Sequence, residues 1–381
     1  MKKRAVLCVA LLAVVLCAYA AFTLLDSKSS IATAAKKAYS ATVYIAGHGG
    51  HFAKADVMID PNNADDPLKV ASLDRVVIGT SKTHPTHDAR IDSEDSNTLF
   101  WATYIADPDG KMHIGKSDLK TGNVVKDVAL TPDAKAPGKK PPLYCASGQS
   151  KNFYMPVFMG TEGYVDVVDK KTLENKHRVF VSDLGYKSGT YKFVHGTNSP
   201  DMKKFLIVLN QAADGKGNGK VDFILVDMAA LEQGKLKELA RNTLSGEPEK
   251  TLTFRQTFSP DGKFIYQSAG DRLWVIDAAT LKMVDEKMMP EGGQLHDTFP
   301  TADNKYAVLT VRNLAPACGS DGIPLTGEKQ KDITDGTLML YDGDAKKLVG
   351  KTSSICQACH KSMGLGDKVA ILCGIDGTWK K

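Results

Sequence analysis

Phe258-Ser259-Pro260-Asp261-Gly262-Lys263-Phe264-Ile265-Tyr266, followed by Leu273-Trp274-Val275-Ile276-Asp277 and Thr280-Leu281-Lys282-Met283-Val284, is the clearest copy of the chain's structural repeat. Its Pro-Asp-Gly turn separates two apolar, β-prone runs. A third run ends in aspartate, and a polar turn leads to a fourth. The segment therefore reads as a meander of four antiparallel strands.

The unit recurs outward from there. Tyr164-Val165-Asp166-Val167-Val168-Asp169, Phe223-Ile224-Leu225-Val226-Asp227 and Leu338-Met339-Leu340-Tyr341-Asp342 repeat the aspartate-ended strand. Asp107-Pro108-Asp109-Gly110 leading to Asp118, and Val57-Met58-Ile59-Asp60, mark two earlier copies. The markers Asp60, Asp118, Asp169, Asp227, Asp277 and Asp342 lie about 50 to 65 residues apart, a long period in the style of a β-propeller. Six blades are expected, seven if the chain ends build another. The first copy begins at what is a second strand elsewhere, so the C-terminus is expected to complete that blade and close the ring, removing an exposed sheet edge. The helical candidate 228–241 reads as an insertion within a blade. On these repeats residues 41–379 resemble the periplasmic β-propellers of the YVTN-repeat type, to which the cytochrome d1 domain of nitrite reductases is similar. The resemblance implies a single all-β propeller and leaves function open, because the scaffold carries unrelated activities.

The 381 residues are 43% hydrophobic and 24% charged, proportions of a folded chain rather than a disordered or multi-spanning one. Three of the five net positive charges sit at Lys2, Lys3 and Arg4, leaving two for the rest, too few for a nucleic-acid binder. Those three precede an apolar run to Leu25. Residues 1–25 read as a signal peptide cleaved after Ala20, with Ala32-Thr33-Ala34 as a second small-residue site, or as an uncleaved anchor that is the only membrane contact. Residues 26–40 then form a linker and 41–381 the propeller, in the periplasm or outside the cell.

Cys356-Gln357-Ala358-Cys359-His360 carries the sharpest chemistry. Two thiols three residues apart can each form a thioether to one porphyrin, with the adjoining imidazole as proximal iron ligand. The expected cofactor is one covalent haem c; a vicinal disulfide or a thiolate metal site with Cys318 or Cys373 is the alternative. Only residues 361–381 follow, too few for a separate cytochrome domain, so the haem must rest on the propeller. Here the sequence departs from the nitrite reductases, whose c-haem has its own domain, and their catalytic residues are not carried over.

Aligning the turns that open each blade places His195, Arg255 and His296 at one position, with His87 and His360 fitting it and Cys145 more loosely. These starts of innermost strands crowd around one mouth of the channel. His296 and His195 are accordingly the expected distal haem ligands. His48, His51, His84 and His87 form an alternative copper set, and only His113 and His177 are expected away from the mouth. The bland reading of each mouth histidine is a tie between blades. Expected partners are a redox protein and a small-molecule substrate; the basic stretch 135–140 reads most simply as an exposed loop, with docking of an acidic redox partner as the alternative. Three functions follow: a monohaem cytochrome performing electron transfer or small-molecule redox chemistry, a copper-binding propeller oxidoreductase, or a non-enzymatic scaffold.

Overall fold

The computed structural model describes residues 36–136, 144–160, 162–314, 333–362 and 372–380, with every regular element inside the unit Ala38–Lys381. The leader, Cys318, Met363 and positions 137–140 of the basic stretch lie outside the described residues. Among the described residues no helix is long and apolar enough to cross a membrane.

Among the described residues the strands form six meanders. The first contains β1 (Tyr39–Gly47), β2 (His51–Ile59) and β3 (Leu68–Val77); the second β4 (Thr86–Ile91), β5 (Thr98–Thr103), β6 (Met112–Asp118) and β7 (Val124–Leu130). The third holds β8 (Tyr144–Gln149), β9 (Phe153–Phe158), β10 (Tyr164–Asp169) and β11 (Asn175–Phe180), the fourth β12 (Tyr191–Asn198), β13 (Lys204–Ala213), β14 (Lys216–Asp227) and β15 (Glu238–Ser245). The last two are β16 (Thr251–Phe258), β17 (Phe264–Gly270), β18 (Arg272–Asp277) and β19 (Met283–Met288), then β20 (Gly293–Pro300), β21 (Tyr306–Leu314), β22 (Ile333–Asp342) and β23 (Lys347–Ser354). These two join into one eight-stranded sheet through the single pair Gly270–Leu295.

The C-terminal β24 (Leu372–Trp379) pairs antiparallel with β1 and supplies the innermost strand of the first meander, from Ala41–Trp379 to Gly47–Leu372. The chain ends thus complete a blade rather than add one. Each innermost strand packs on the next, β4 on β8, then β12, β16, β20, β24 and back to β4, a closed ring of six. Trp379 fastens the seam: its indole stacks on Phe299 at 5.0 Å between ring centroids and donates to the Pro300 carbonyl at 2.8 Å.

The repeated aspartates have a local cause. Each ends or follows the third strand of its blade, and its carboxylate accepts backbone N–H groups of the next turn: Asn62 for Asp60, Lys120 for Asp118, Lys171 for Asp169, Ala230 for Asp227, Ala279 for Asp277 and Ala345 for Asp342. A short carboxylate bonding two or three residues ahead is what folds an Asx turn. The same bonds account for Asp60 and its neighbours as a turn. Outer strands such as β7 and β15 alternate exposed with half-buried residues, whereas second strands such as β5 are buried on both faces between blades. The helical expectation over 228–241 shrinks to α1 (Met228–Glu232), because residues from Glu238 are recruited as the edge strand β15.

Candidate functional site

The innermost strands bring one side chain each to the hub: His87, Cys145, His195, Arg255, His296 and Cys373, all at most 2% exposed. At or beside each, the strand pairing slips by a bulge. A bulge re-aims a side chain out of the alternating pattern, so the repeat builds six inward-pointing positions. Sequence alignment finds five of them. The sixth is Cys373 on β24, not His360, which lies in α2 (Cys356–Ser362) before the last strand begins.

One half of the hub is ionic. Arg255 pairs with Asp88, donates from Nη1 to Cys145 Sγ at 2.8 Å, and brings Nε within 3.7 Å of Asp297. Cys145 donates to Asp88 at 3.2 Å, and Asp297 accepts the Ile375 amide at 2.9 Å. Burial pushes the Asp88 carboxyl up and Asp297 up to about 6, against the pull of Arg90. Gly374 is required here, since a Cβ on it would lie 2.1 Å from Asp88 Oδ1.

The other half is imidazole and thiol. The rings of His87 and His296 stand 5.3 Å apart, edge to face, and a nitrogen of each lies within 4.8 Å of the other and of Cys373 Sγ. His87 also lies 6.2 Å from His48, both packing against Tyr104 at 4.4–4.7 Å, while His296 packs on Phe254 at 4.9 Å. Arg312 Nη2 donates to Cys373 Sγ at 3.1 Å. Burial holds His48 and His195 down at about 3 and His87 and His296 well below the ordinary value, leaving four neutral imidazoles. Nδ1 of His87, Nε2 of His195 and both nitrogens of His296 are buried without a hydrogen-bond partner. A buried polar atom in that state costs about 1–3 kcal/mol.

A second arrangement surrounds α2. Cys356 and Cys359 sit one helical turn apart, 9% and 3% exposed, with His360 next in the chain. The helix is anchored by the Cys359 amide donating to Ile355 O at 2.8 Å and the Gln357 amide donating to Asp335 Oδ1 at 3.0 Å. Facing it is His51 of β2: its ring lies 5.8 Å from that of His360, and its Nε2 is 3.7 Å from Cys359 Sγ. Between them runs a narrow cleft that encloses about 20 Å³ and is partly open to solvent, walled by Ile45, Ala46, Ala53 and Ile355, with His48 on its lining. The turn before His51 needs its glycines: Gly50 has φ +80°, and a Cβ there would come within 2.5 Å of the Thr80 backbone. Burial lowers the His51 pKa, so the ring is neutral, and raises both thiols, keeping them protonated.

The four histidines of the copper set are therefore divided among three places. His51 faces His360, His48 and His87 belong to the hub, and His84 lies with His113 and Asp127. There His84 Nε2 meets Asp127 Oδ2 at 2.9 Å, and the two rings are 4.5 Å apart. His84 precedes β4 by two residues, and its side chain turns to β7 of its own blade instead of to the channel. His296 and His195, expected against the haem, cluster with His87 instead, and the imidazole set against His360 is His51. His51 was legible through ring closure: the segment just before β24 must lie beside the β1–β2 hairpin, because β24 pairs with β1. Tyr104 and Arg312 of the hub had no sequence signal.

No family model and no curated protein matches the chain. Solved structures similar to it include the hydrazine synthase of Kuenenia stuttgartiensis, at 18% identity and TM-score 0.43 over 71% of this chain and 68% of that one. The β-propeller domain of Myceliophteria thermophila Cps50 (Swd1) matches at 10% identity and TM-score 0.47, over 83% and 87%. A protein of unknown function from Bacteroides caccae matches at 11% and 0.49, over 89% and 98%. Likenesses this distant carry no functional inference.

Proposed function

We propose that the chain is an exported monohaem c-type cytochrome built on a β-propeller, acting in electron transfer or small-molecule redox chemistry. The observation that supports this most is the cleft between α2 and His51. Its donor set fits a covalent haem: two thiols on one helical face, an imidazole directly after them, a second neutral imidazole opposite, and apolar walls. Cys356 and Cys359 would hold the group by thioethers, and His360 and His51 would be its imidazole ligands. When bound, the group supplies a one-electron couple whose potential is set by its axial ligands and burial.

The chain's own residues do the rest. Ile45, Ala46, Ala53 and Ile355 would exclude water from a bound group, and the Gly49–Gly50 turn fixes His51. The buried, protonated thiols argue against an exchanging dithiol pair, which needs an exposed thiol of lowered pKa. The basic, then apolar leader sequence supports an exported location, periplasmic or extracellular, where a redox protein would deliver or accept the electron.

Reduced-minus-oxidised spectra of the full chain matured in a host with c-type haem attachment test the ligation. His51→Ala is expected to open the iron, shown by binding of carbon monoxide or imidazole, while His296→Ala and His195→Ala leave it closed. Opening by His296→Ala and not by His51→Ala would overturn the assignment.

A further inference from the structure

We propose that the hub is a copper site, in which His87 and His296 donate imidazole nitrogens and Cys373 a thiolate. Three observations carry it. The three residues come from the inner strands β4, β20 and β24, 2%, 0% and 0% exposed, with their donor atoms within 4.8 Å of one another. Three of the four nitrogens on His87 and His296 are buried with no hydrogen-bond partner, as is Nε2 of His195 on the neighbouring strand β12. Native interiors pair such groups, so a cluster left unpaired points to a ligand. Finally, the hard donors of the hub are engaged elsewhere: Asp88 by Arg255, the Cys145 thiol and the Ala89 amide, Asp297 by the Ile375 and Thr298 amides.

The donor set selects the metal. Two imidazoles and one thiolate in trigonal array are the ligands of copper electron-transfer sites, and divalent copper outranks other first-row ions for nitrogen and sulfur donors. Arg312, donating to Cys373 Sγ at 3.1 Å, is the outer partner that steadies the thiolate. On binding Cu(II), the Cys373 S–H bond breaks, its electron pair forms the Cu–S bond, and one proton leaves per copper. The proposal does not depend on haem attachment at α2. His48 lines the cleft beside α2 and lies 6.2 Å from His87, so the two centres would be neighbours.

The full chain, stripped with chelator, is mixed with one equivalent of Cu(II) and desalted. Expected are one copper per chain by elemental analysis, one proton released, and an intense visible thiolate-to-Cu(II) band with nitrogen hyperfine structure in the paramagnetic resonance spectrum. Cys373→Ser removes the band. His87→Ala and His296→Ala each weaken binding by at least about a hundredfold, beyond the usual loss from an outer partner, while His113→Ala leaves it unchanged. Should the serine variant fail to fold, the wild-type spectrum decides the thiolate. Cys356→Ser/Cys359→Ser still takes up copper, so the absence of haem and the absence of copper are read separately. Substoichiometric copper, retention of zinc over copper in equimolar competition, or binding lost in His113→Ala but kept in His296→Ala would each overturn the proposal.

Discussion

Two groups of histidine in this propeller use the same side chain to opposite effect. In the outer group all four ring nitrogens are occupied: His84 by Thr83 and Asp127, His113 by Asp127 and Asp107, at 2.8–3.2 Å. In the hub group, three of the four nitrogens of His87 and His296 have no partner. The outer group explains itself as structure, whereas the hub group leaves donor atoms unused, which is what the proposed copper would engage. What separates them is burial and the acidic partner: His84 and His113 are half-buried beside carboxylates, whereas His87 and His296 are buried with none on their rings.

The difference extends to acid. Hub histidines have depressed folded-state pKa values, so the unfolded chain takes up protons below its own value near 6.5 that the native hub refuses. Their contribution is lost as pH falls through that value, each by up to about 1.4 kcal/mol per pH unit. His113 has the opposite sign: its raised pKa, held up first by the Asp127 hydrogen bond, gives stability present below 6.5 and lost as pH rises through the folded value. Asp88 and Asp297, raised by burial, take up protons in the native state over the same range and offset part of this loss. Metal-free protein is therefore expected to lose a few kcal/mol between about pH 6.5 and 5, as the four histidines outweigh them. Urea unfolding across that window checks it, and a flat or rising stability would erase the distinction.

Copper loading is the next largest effect. At a free concentration about a thousandfold above the dissociation constant it adds about 4 kcal/mol, seen as a raised urea midpoint in wild type and not in His296→Phe. Asp127→Ala strands two imidazoles of the outer group and is expected to cost about 1–3 kcal/mol. Smallest is His296→Phe in metal-free protein. Two unpartnered nitrogens leave an apolar setting beside Phe254, so stability is unchanged or rises by about 1 kcal/mol. A loss of 3 kcal/mol or more in that variant would mean the hub nitrogens are satisfied after all.

The repeat was legible because its cause is local: a carboxylate folding the turn after each third strand needs only neighbours in sequence. Closure through β24 and β1 was legible from the incomplete first copy. The hub was read at five of six positions, and His360 displaced Cys373 because α2 intervenes before the final inner strand, a helix the blade pattern does not announce. His84 was misplaced for a physical reason too. Its position near the strand start suggested the channel, but a carboxylate on β7 offers its ring a hydrogen bond that the channel does not. His51 follows from combining closure with the attachment motif, neither of which places it alone.

Intact mass of the denatured, mature chain is the decisive measurement for the covalent haem. Protein from a host with c-type attachment machinery should carry the mass of one haem that denaturation does not remove, and Cys356→Ser/Cys359→Ser from the same host should be bare. A wild-type chain of unmodified mass under those conditions would contradict it.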